Sequence, residues 1–201
     1  MVKIAVVVGS LRRESINRKL ALALKKLGRK QQLDLSLVEL GDLPHYNQDL
    51  WEDPPAAVTC LKHQIEHADA VIFVTPEYNR AVPGIMKDAI DWASRPYGKN
   101  SWAGKPAAVI GATGGKVGTA VAQSQLRSTL LVLDLAVMGQ PEAYIQLPEN
   151  AIDAKHTVTD ESIRAFLEKW LAAFTDWIGK VAGIVPEPGQ PEGAEVQDAA
   201  E

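Results

Sequence analysis

The sequence predicts an α/β fold, a five-stranded parallel sheet doubly wound with helices on both faces. Three observations point to it. Short apolar, β-branched runs alternate with stretches of helical periodicity along the chain. Several of those runs are apolar almost throughout, as in strands buried on both faces. Each run breaks off at a loop rich in Gly, Ser, Thr or Pro.

The elements follow in order. Lys3 to Val8 reads as a buried strand that stops at Gly9-Ser10. Ile16, Leu20, Leu24 and Leu27 recur at helical spacing between lysines and arginines; Ser15 stands where an N-cap belongs, and Gly28 follows the last apolar position. Leu33 to Leu40 alternates apolar and polar, a second strand. Pro44, Pro54 and Pro55 bound a loop, and Val58, Leu61, Ile65 and Ala68 mark a second helix. Ala70 to Thr75 is a third strand. Pro83-Gly84 opens a helix carrying Ile85, Met86, Ala89, Ile90 and Ala93. Pro106 to Ala112 holds a fourth strand, followed by a helix from about Thr119 to Leu131. Leu135–Met138 and Ala143–Ile145 share an interrupted fifth strand. Thr159 reads as the N-cap of a last helix whose apolar positions run from Ile163 to Val181. Right-handed crossovers leave the flavodoxin-like strand order as the leading topology.

Composition bounds the function. The chain has 201 residues, 46% of them hydrophobic, and a formal net charge of -4. Five of the acids (Glu187, Glu192, Glu195, Asp198 and Glu201) lie between Gly183 and Glu201, a stretch without Lys or Arg. The expectation is a domain over 1–182 and an acidic, disordered tail over 183–201. The near-neutral body offers no broad basic surface for nucleic acid. No apolar run approaches the ~20 residues of a membrane helix. A lone Cys60 excludes an intrachain disulfide, and the N-terminal run reads as a strand rather than a signal peptide, so a cytoplasmic setting is expected.

In this topology ligands bind beyond the carboxyl ends of the strands, at the switch point between the first and third. Three loops meet there. Gly9 to Asn17 leads into a helix N-terminus, an anion site by its free N–H groups and dipole; Ser10, Ser15, Asn17 and Arg12 add donors suited to a phosphate. Alone, it reads better as a capped connection with solvated arginines. It lacks the G-x-G-x-x-G fingerprint. Thr75 to Gly84 is a polar segment between two prolines, stiff enough to fix the N–H groups of Glu77 to Asn79, with Tyr78 free to lie on a flat ring or to cap the core. Gly111 to Gly118 allows close backbone approach, yet fails as a Walker A loop because Val117 follows Lys116 and Ile110 stands where glycine is required. Together, one phosphate-suited loop, one rigid aromatic loop and one glycine loop fit a mononucleotide with a flat ring, FMN best, its phosphate on the first loop and its ring between the other two.

Gly-Ser-Leu-Arg at 9–12 with Ser15 and Asn17, Thr-Pro-Glu-Tyr-Asn at 75–79, Pro-Gly at 83–84 and Lys-Asp-Ala-Ile-Asp-Trp at 87–92 resemble the NADPH-dependent FMN reductase family, most of all its bacterial quinone and chromate reductase branch. The resemblance covers about residues 3 to 180. It implies a bound FMN, reduction by NADPH or NADH, and a small-molecule electron acceptor such as a quinone, with chromate, azo compounds or free flavin as other acceptors. It implies that Ser10, Arg12, Ser15, Ile16 and Asn17 hold the phosphate, that Pro76, Glu77, Tyr78 and Asn79 hold the ring, and that Thr113, Gly114 and Gly115 approach its other edge. It also implies a homodimer or homotetramer, without membrane or nucleic-acid partners. Arg80, Ser124 and the acidic tail depart from the family pattern. Because the cofactor carries the chemistry, no side chain is expected to act as catalytic acid or nucleophile. Backbone N–H groups at Thr113 to Gly115, or Lys116, are expected to steady negative charge on the reduced ring.

Two other readings stand beside this one. The first is a flavin-binding electron carrier that does not turn over NAD(P)H. The second is a zinc hydrolase, since His63-Gln64-Ile65-Glu66-His67 matches H-x-x-E-H, although both histidines lie opposite the apolar face of their helix.

Overall fold

Residues Ile4, Val6 and Val8 of strand β1 (Val2–Val8) pack into one hydrophobic core, and Ala5 and Val7 into a second. The split follows from the two-residue period of a strand and demands cover on both faces of the sheet. In the computed structural model, which describes residues 1–183, five helices supply it. After β1 come α1 (Ile16–Arg29), β2 (Leu33–Val38), α2 (Ala56–Glu66), β3 (Ala70–Val74), α3 (Gly84–Ala93), β4 (Pro106–Thr113), α4 (Ala120–Val132), β5 (Ala136–Val137), β6 (Ala143–Gln146) and α5 (Glu161–Ala182).

The sheet runs β2-β1-β3-β4-β5, with β6 also on β4, and every pairing is parallel. The fifth position is shared as expected: β5 pairs with the start of β4 (Pro106↔Ala136) and β6 with its end (Ile110↔Ala143). Pro141, which has no N–H to give a ladder, lies in the interruption. Helices α1 and α5 cover one face, where Leu20, Leu24, Trp170 and Phe174 meet Ile4, Val6 and Ile72. Helices α2, α3 and α4 cover the other, where Leu61, Ile65, Met86, Ile90 and Leu126 meet Val7 and Phe73. Burying a leucine or isoleucine side chain is worth roughly 1.5–3 kcal/mol, so the apolar stripes hold the helices in place.

Several boundaries differ from the sequence reading; β2, for one, stops at Val38 rather than Leu40. Gly28 does not end the first helix. α1 runs on to Arg29, with Lys30 as C-cap, and a Cβ on Gly28 would stand 2.8 Å from Leu35 Cδ1, so this glycine is where α1 rests on β2. Asp160, not Thr159, caps α5, its Oδ1 accepting from the Ile163 N–H at 3.0 Å. Thr159 instead donates its N–H to the Ala151 carbonyl and its hydroxyl to the Asn150 carbonyl. Helix α2 ends at Glu66, and Ala68 is buried in the turn that follows. The expectation for the acidic tail falls on residues outside the described ones. Among the described residues, no helix is long and apolar enough to cross a membrane.

Candidate functional site

Strands β1 and β3 lie side by side, yet their connections leave for opposite faces, β1 to α1 and β3 to α3. A crevice opens where they part. The strand ends are stitched together by Gly9 N–H to Val74 O (3.0 Å) and Thr75 N–H to Ile110 O (2.9 Å). A Cβ on Gly9 would come within 3.1 Å of Met86 Cε and 3.2 Å of Pro76 Cδ, so glycine lets the first two loops approach.

Ser15 caps α1 as expected, its Oγ accepting from the Arg18 N–H at 3.2 Å. The Ile16 and Asn17 N–H groups have no protein partner among the described residues and point out of the helix N-terminus. That first turn holds no acid, and Glu14 just before it is drawn to Lys19 at 2.9 Å, whose hydrogen bond holds its carboxyl below the usual range. Arg12 folds back, donating from Nη2 to the Glu14 carbonyl. The Asn17 side chain differs from expectation: it is buried and bonded twice to Ala112, so only its N–H is left for a ligand.

The second loop is a tight hairpin. Tyr78 and Ala81 exchange N–H···O bonds of 3.2 and 3.0 Å across Asn79 and Arg80, both at positive φ (52° and 62°). This occupies the Tyr78 N–H and leaves those of Glu77 and Asn79 without a protein partner among the described residues. Tyr78 is 51% exposed, and its hydroxyl lies 3.3 Å from the Ser10 hydroxyl, which links the first two loops. Glu77 departs from expectation. Its carboxylate turns to α4, Oε2 accepting from Val121 N–H (3.0 Å) and Ala122 N–H (3.1 Å), while Oε1 pairs with Arg80 at 3.2 Å. A sequence signal existed, since α4 has no acid of its own in its first turn.

In the third loop, the Gly115 N–H donates to Thr113 Oγ1 at 3.3 Å. A Cβ on Gly114 would meet nothing within 4 Å, so no protein packing explains that glycine. Gly118, at φ +63°, is different: it packs directly on Tyr144.

A cleft of about 130 Å³ joins the loops. Ser10, Arg12, Ser15, Ile16 and Asn17 line one side, Pro76, Glu77 and Tyr78 the second, and Thr113 the third, together with Ala112, which the sequence did not single out. Asn79, Gly114 and Gly115 stand outside this lining. A larger groove, about 710 Å³, lies along the outer side of α1 and shares Ser15. It mixes Arg13 and Arg18 with Glu149 and Asp153, a wall without one sign of charge. The smaller cleft suits a phosphate better: two free N–H groups at a helix N-terminus, two buried hydroxyls and a guanidinium, with its one carboxylate turned away. Beside it, a half-exposed tyrosine and unobstructed glycines leave room for a flat ring. The residues present fit FMN.

The H-x-x-E-H residues are used otherwise. The His63 and His67 rings stack at 4.0 Å, His67 Nδ1 bonds the His63 carbonyl, and Glu66 Oε1 accepts from Ser101. Among the described residues no group of three or more His, Cys, Asp or Glu side chains is placed to hold a metal.

Comparison with known proteins places the chain among relatives of one family. The family model of the NADPH-dependent FMN reductases matches residues 2–149. A 2-hydroxy-1,4-benzoquinone reductase of Burkholderia sp is 47% identical over 176 residues, 88% of this chain and 96% of the relative. The solved structure of FerB, a flavoenzyme NAD(P)H:(acceptor) oxidoreductase from Paracoccus denitrificans, is 53% identical with a TM-score of 0.86, covering 90% of this chain and 98% of that one. A flavodoxin from Pseudomonas aeruginosa shares the fold at 21% identity and a TM-score of 0.54, covering 87% of this chain and 99% of that one.

Proposed function

The chain belongs to the NADPH-dependent FMN reductase family, and from that membership we propose that it carries electrons from NAD(P)H to a quinone, with FMN held by the three loops at the β1/β3 switch point. One observation carries the placement: three loops distant in sequence converge on a cleft whose N–H donors at the start of α1 have no protein partner among the described residues and which Tyr78 and Thr113 also line. The quinone as acceptor is supported by the activity named for the Burkholderia relative.

FMN, when bound, supplies the chemistry, taking two electrons from NADPH or NADH and giving them to the acceptor. The chain binds and orients. The Ile16 and Asn17 N–H groups would hold the phosphate, with the hydroxyls of Ser10 and Ser15 and the Arg12 guanidinium beside them. The Glu77 and Asn79 N–H groups would meet polar atoms on one edge of the ring, under Tyr78. Backbone at Thr113 to Gly115, with Lys116 beyond, would face the edge that gains negative charge. No side chain serves as acid, base or nucleophile in this reading.

Exposed Leu131 and Val132 at the end of α4 support a homodimer or homotetramer. A cytoplasmic setting is supported by the lone, exposed Cys60.

The test is the visible spectrum of the purified protein, then anaerobic titration with each nicotinamide, then turnover with 1,4-benzoquinone. Yellow protein, bleached by NADPH or NADH and recoloured by the quinone, is the expected result. Bound flavin that neither nicotinamide bleaches would make the chain an electron carrier. Colourless protein that takes up no FMN would end the reading.

A further inference from the structure

We propose that Glu77 is a positioning residue that sets the width of the slot between the two ring-facing loops, a role that rests on the flavin reading above. Glu77 stands on the Thr75–Gly84 loop, but its side chain, 10% exposed, points away from the cleft to the first turn of α4. That turn contains no acid, and its N-cap Thr119 makes no side-chain capping bond. Glu77 therefore supplies the negative group that the positive end of α4 lacks, from another part of the chain.

The chain reaches α4 directly from the glycine loop. Thr119 is fully buried, and Gly118 is pinned against Tyr144, so the start of α4 is a fixed point at the base of that loop. One carboxylate thus ties the tyrosine-bearing loop to the element that anchors the glycine loop. A second strut runs beside it. Arg80 pairs with Glu77 Oε1 at 3.2 Å, and its carbonyl accepts from Gln125 Nε2 on α4 at 3.0 Å. Arg80 occupies the second position of the turn at φ 62°, where glycine is the usual residue. The ion pair and the Gln125 bond hold it in that conformation, and with it the tip of the hairpin.

The test compares FMN with riboflavin, which has the same ring and no phosphate, by fluorescence titration of the apoprotein. A slot of the wrong width weakens both flavins by one factor, whereas a phosphate-site defect weakens FMN alone. Glu77→Ala is expected to weaken both by about tenfold, the size of one lost cap, and to shift the bands of bound flavin toward those of free flavin. Glu77→Gln keeps an oxygen for Val121 and Ala122 and is expected to restore most of the affinity. If Glu77→Ala does not fold, Gln125→Ala decides: it leaves both capping bonds and is expected to weaken both flavins by one smaller factor. Wild-type affinity and spectrum in Glu77→Ala, loss confined to FMN, or equal loss in the Ala and Gln variants would overturn the proposal. Wild-type protein that binds neither flavin would instead overturn the flavin reading.

Discussion

The Asn17 side chain and the Ala112 backbone are joined by two hydrogen bonds: Asn17 Nδ2 donates to the Ala112 carbonyl at 2.9 Å, and Asn17 Oδ1 accepts from the Ala112 N–H at 2.9 Å. Strand β3 ends at Val74, which pairs with Ile110, so Ala112 lies past the last residue of its neighbour. Its N–H and C=O face the side where a strand has run out. One amide completes both groups as a further strand would, and locks the start of α1 to the end of β4.

Asn17→Ala would leave both Ala112 groups buried and unpaired. Each unmade bond costs roughly 1–3 kcal/mol, so the apoprotein should lose about 2–6 kcal/mol in urea unfolding. Asn17→Asp should be no better, because a carboxylate oxygen would replace the donor against the Ala112 carbonyl. A loss under about 0.5 kcal/mol in both would mean that the pair does not exist in solution.

The proposed phosphate end is tested by charge. Arg12→Glu with Ser15→Ala removes a guanidinium and a hydroxyl beside the free Ile16 and Asn17 N–H groups and adds a carboxylate. Hydrogen bonds to charged groups are worth roughly 1.5–3 kcal/mol each, so FMN affinity should fall by about a hundredfold or more while riboflavin affinity stays within about threefold. Unchanged FMN retention would remove the phosphate from this loop.

The fold was legible because it depends on period and punctuation. KIAVVV and AVIFV are β-branched runs that end at loop signals, and the stripes of α1 and α5 repeat at helical spacing. The loops that form the candidate site were legible for the same reason, since topology places them at the switch point before any side chain is considered. Side-chain direction was not legible. The residue types of Asn17 and Glu77 suit a ligand, yet each carries polar atoms that a buried backbone group elsewhere needs more: Ala112 for one, the start of α4 for the other. Those needs arise only once β3 is seen to stop short and the start of α4 to lie beside Glu77; the acid missing from the first turn of α4 was the one signal in the sequence. Gly28 misled for a similar reason, because a glycine near a helix end serves packing against Leu35 as well as capping.

Gly111 near the end of β4 and Gly114 in the third loop should respond in opposite ways. A Cβ on Gly111 would collide with Thr119 Oγ1 and the Thr75 carbonyl, both in buried residues with nowhere to move. Gly111→Ala should cost at least about 3 kcal/mol, or yield no soluble protein. Gly114→Ala meets only open space, so apoprotein stability should stay within about 0.5 kcal/mol. If the ring lies against that loop, the added methyl stands in its path, and FMN and riboflavin should both bind more weakly. Wild-type flavin affinity in Gly114→Ala would move the ring away from this loop.

Lys62 offers a pH test away from the cleft. Its ammonium donates to the carbonyls of Ala93 (3.2 Å) and Lys99 (2.8 Å) and to Ser101 Oγ (2.6 Å), fastening α2 to the chain between α3 and β4. Burial holds its pKa below the free value of 10.5, with the Lys99 charge adding to the effect and Glu66 opposing it. Between the folded pKa and 10.5 the unfolded chain still binds a proton that the folded protein has released, so stability rises with pH across that window. Lys62→Met fills the same space but leaves three acceptors without their donor, and should cost roughly 1–3 kcal/mol at neutral pH. It also lacks the titration. The difference in unfolding free energy between wild type and Lys62→Met should therefore widen as pH climbs toward 10.5, with all other groups common to both proteins. Urea midpoints measured in steps from neutral to alkaline pH decide it: parallel profiles would mean that Lys62 titrates as freely in the folded protein as in the unfolded chain.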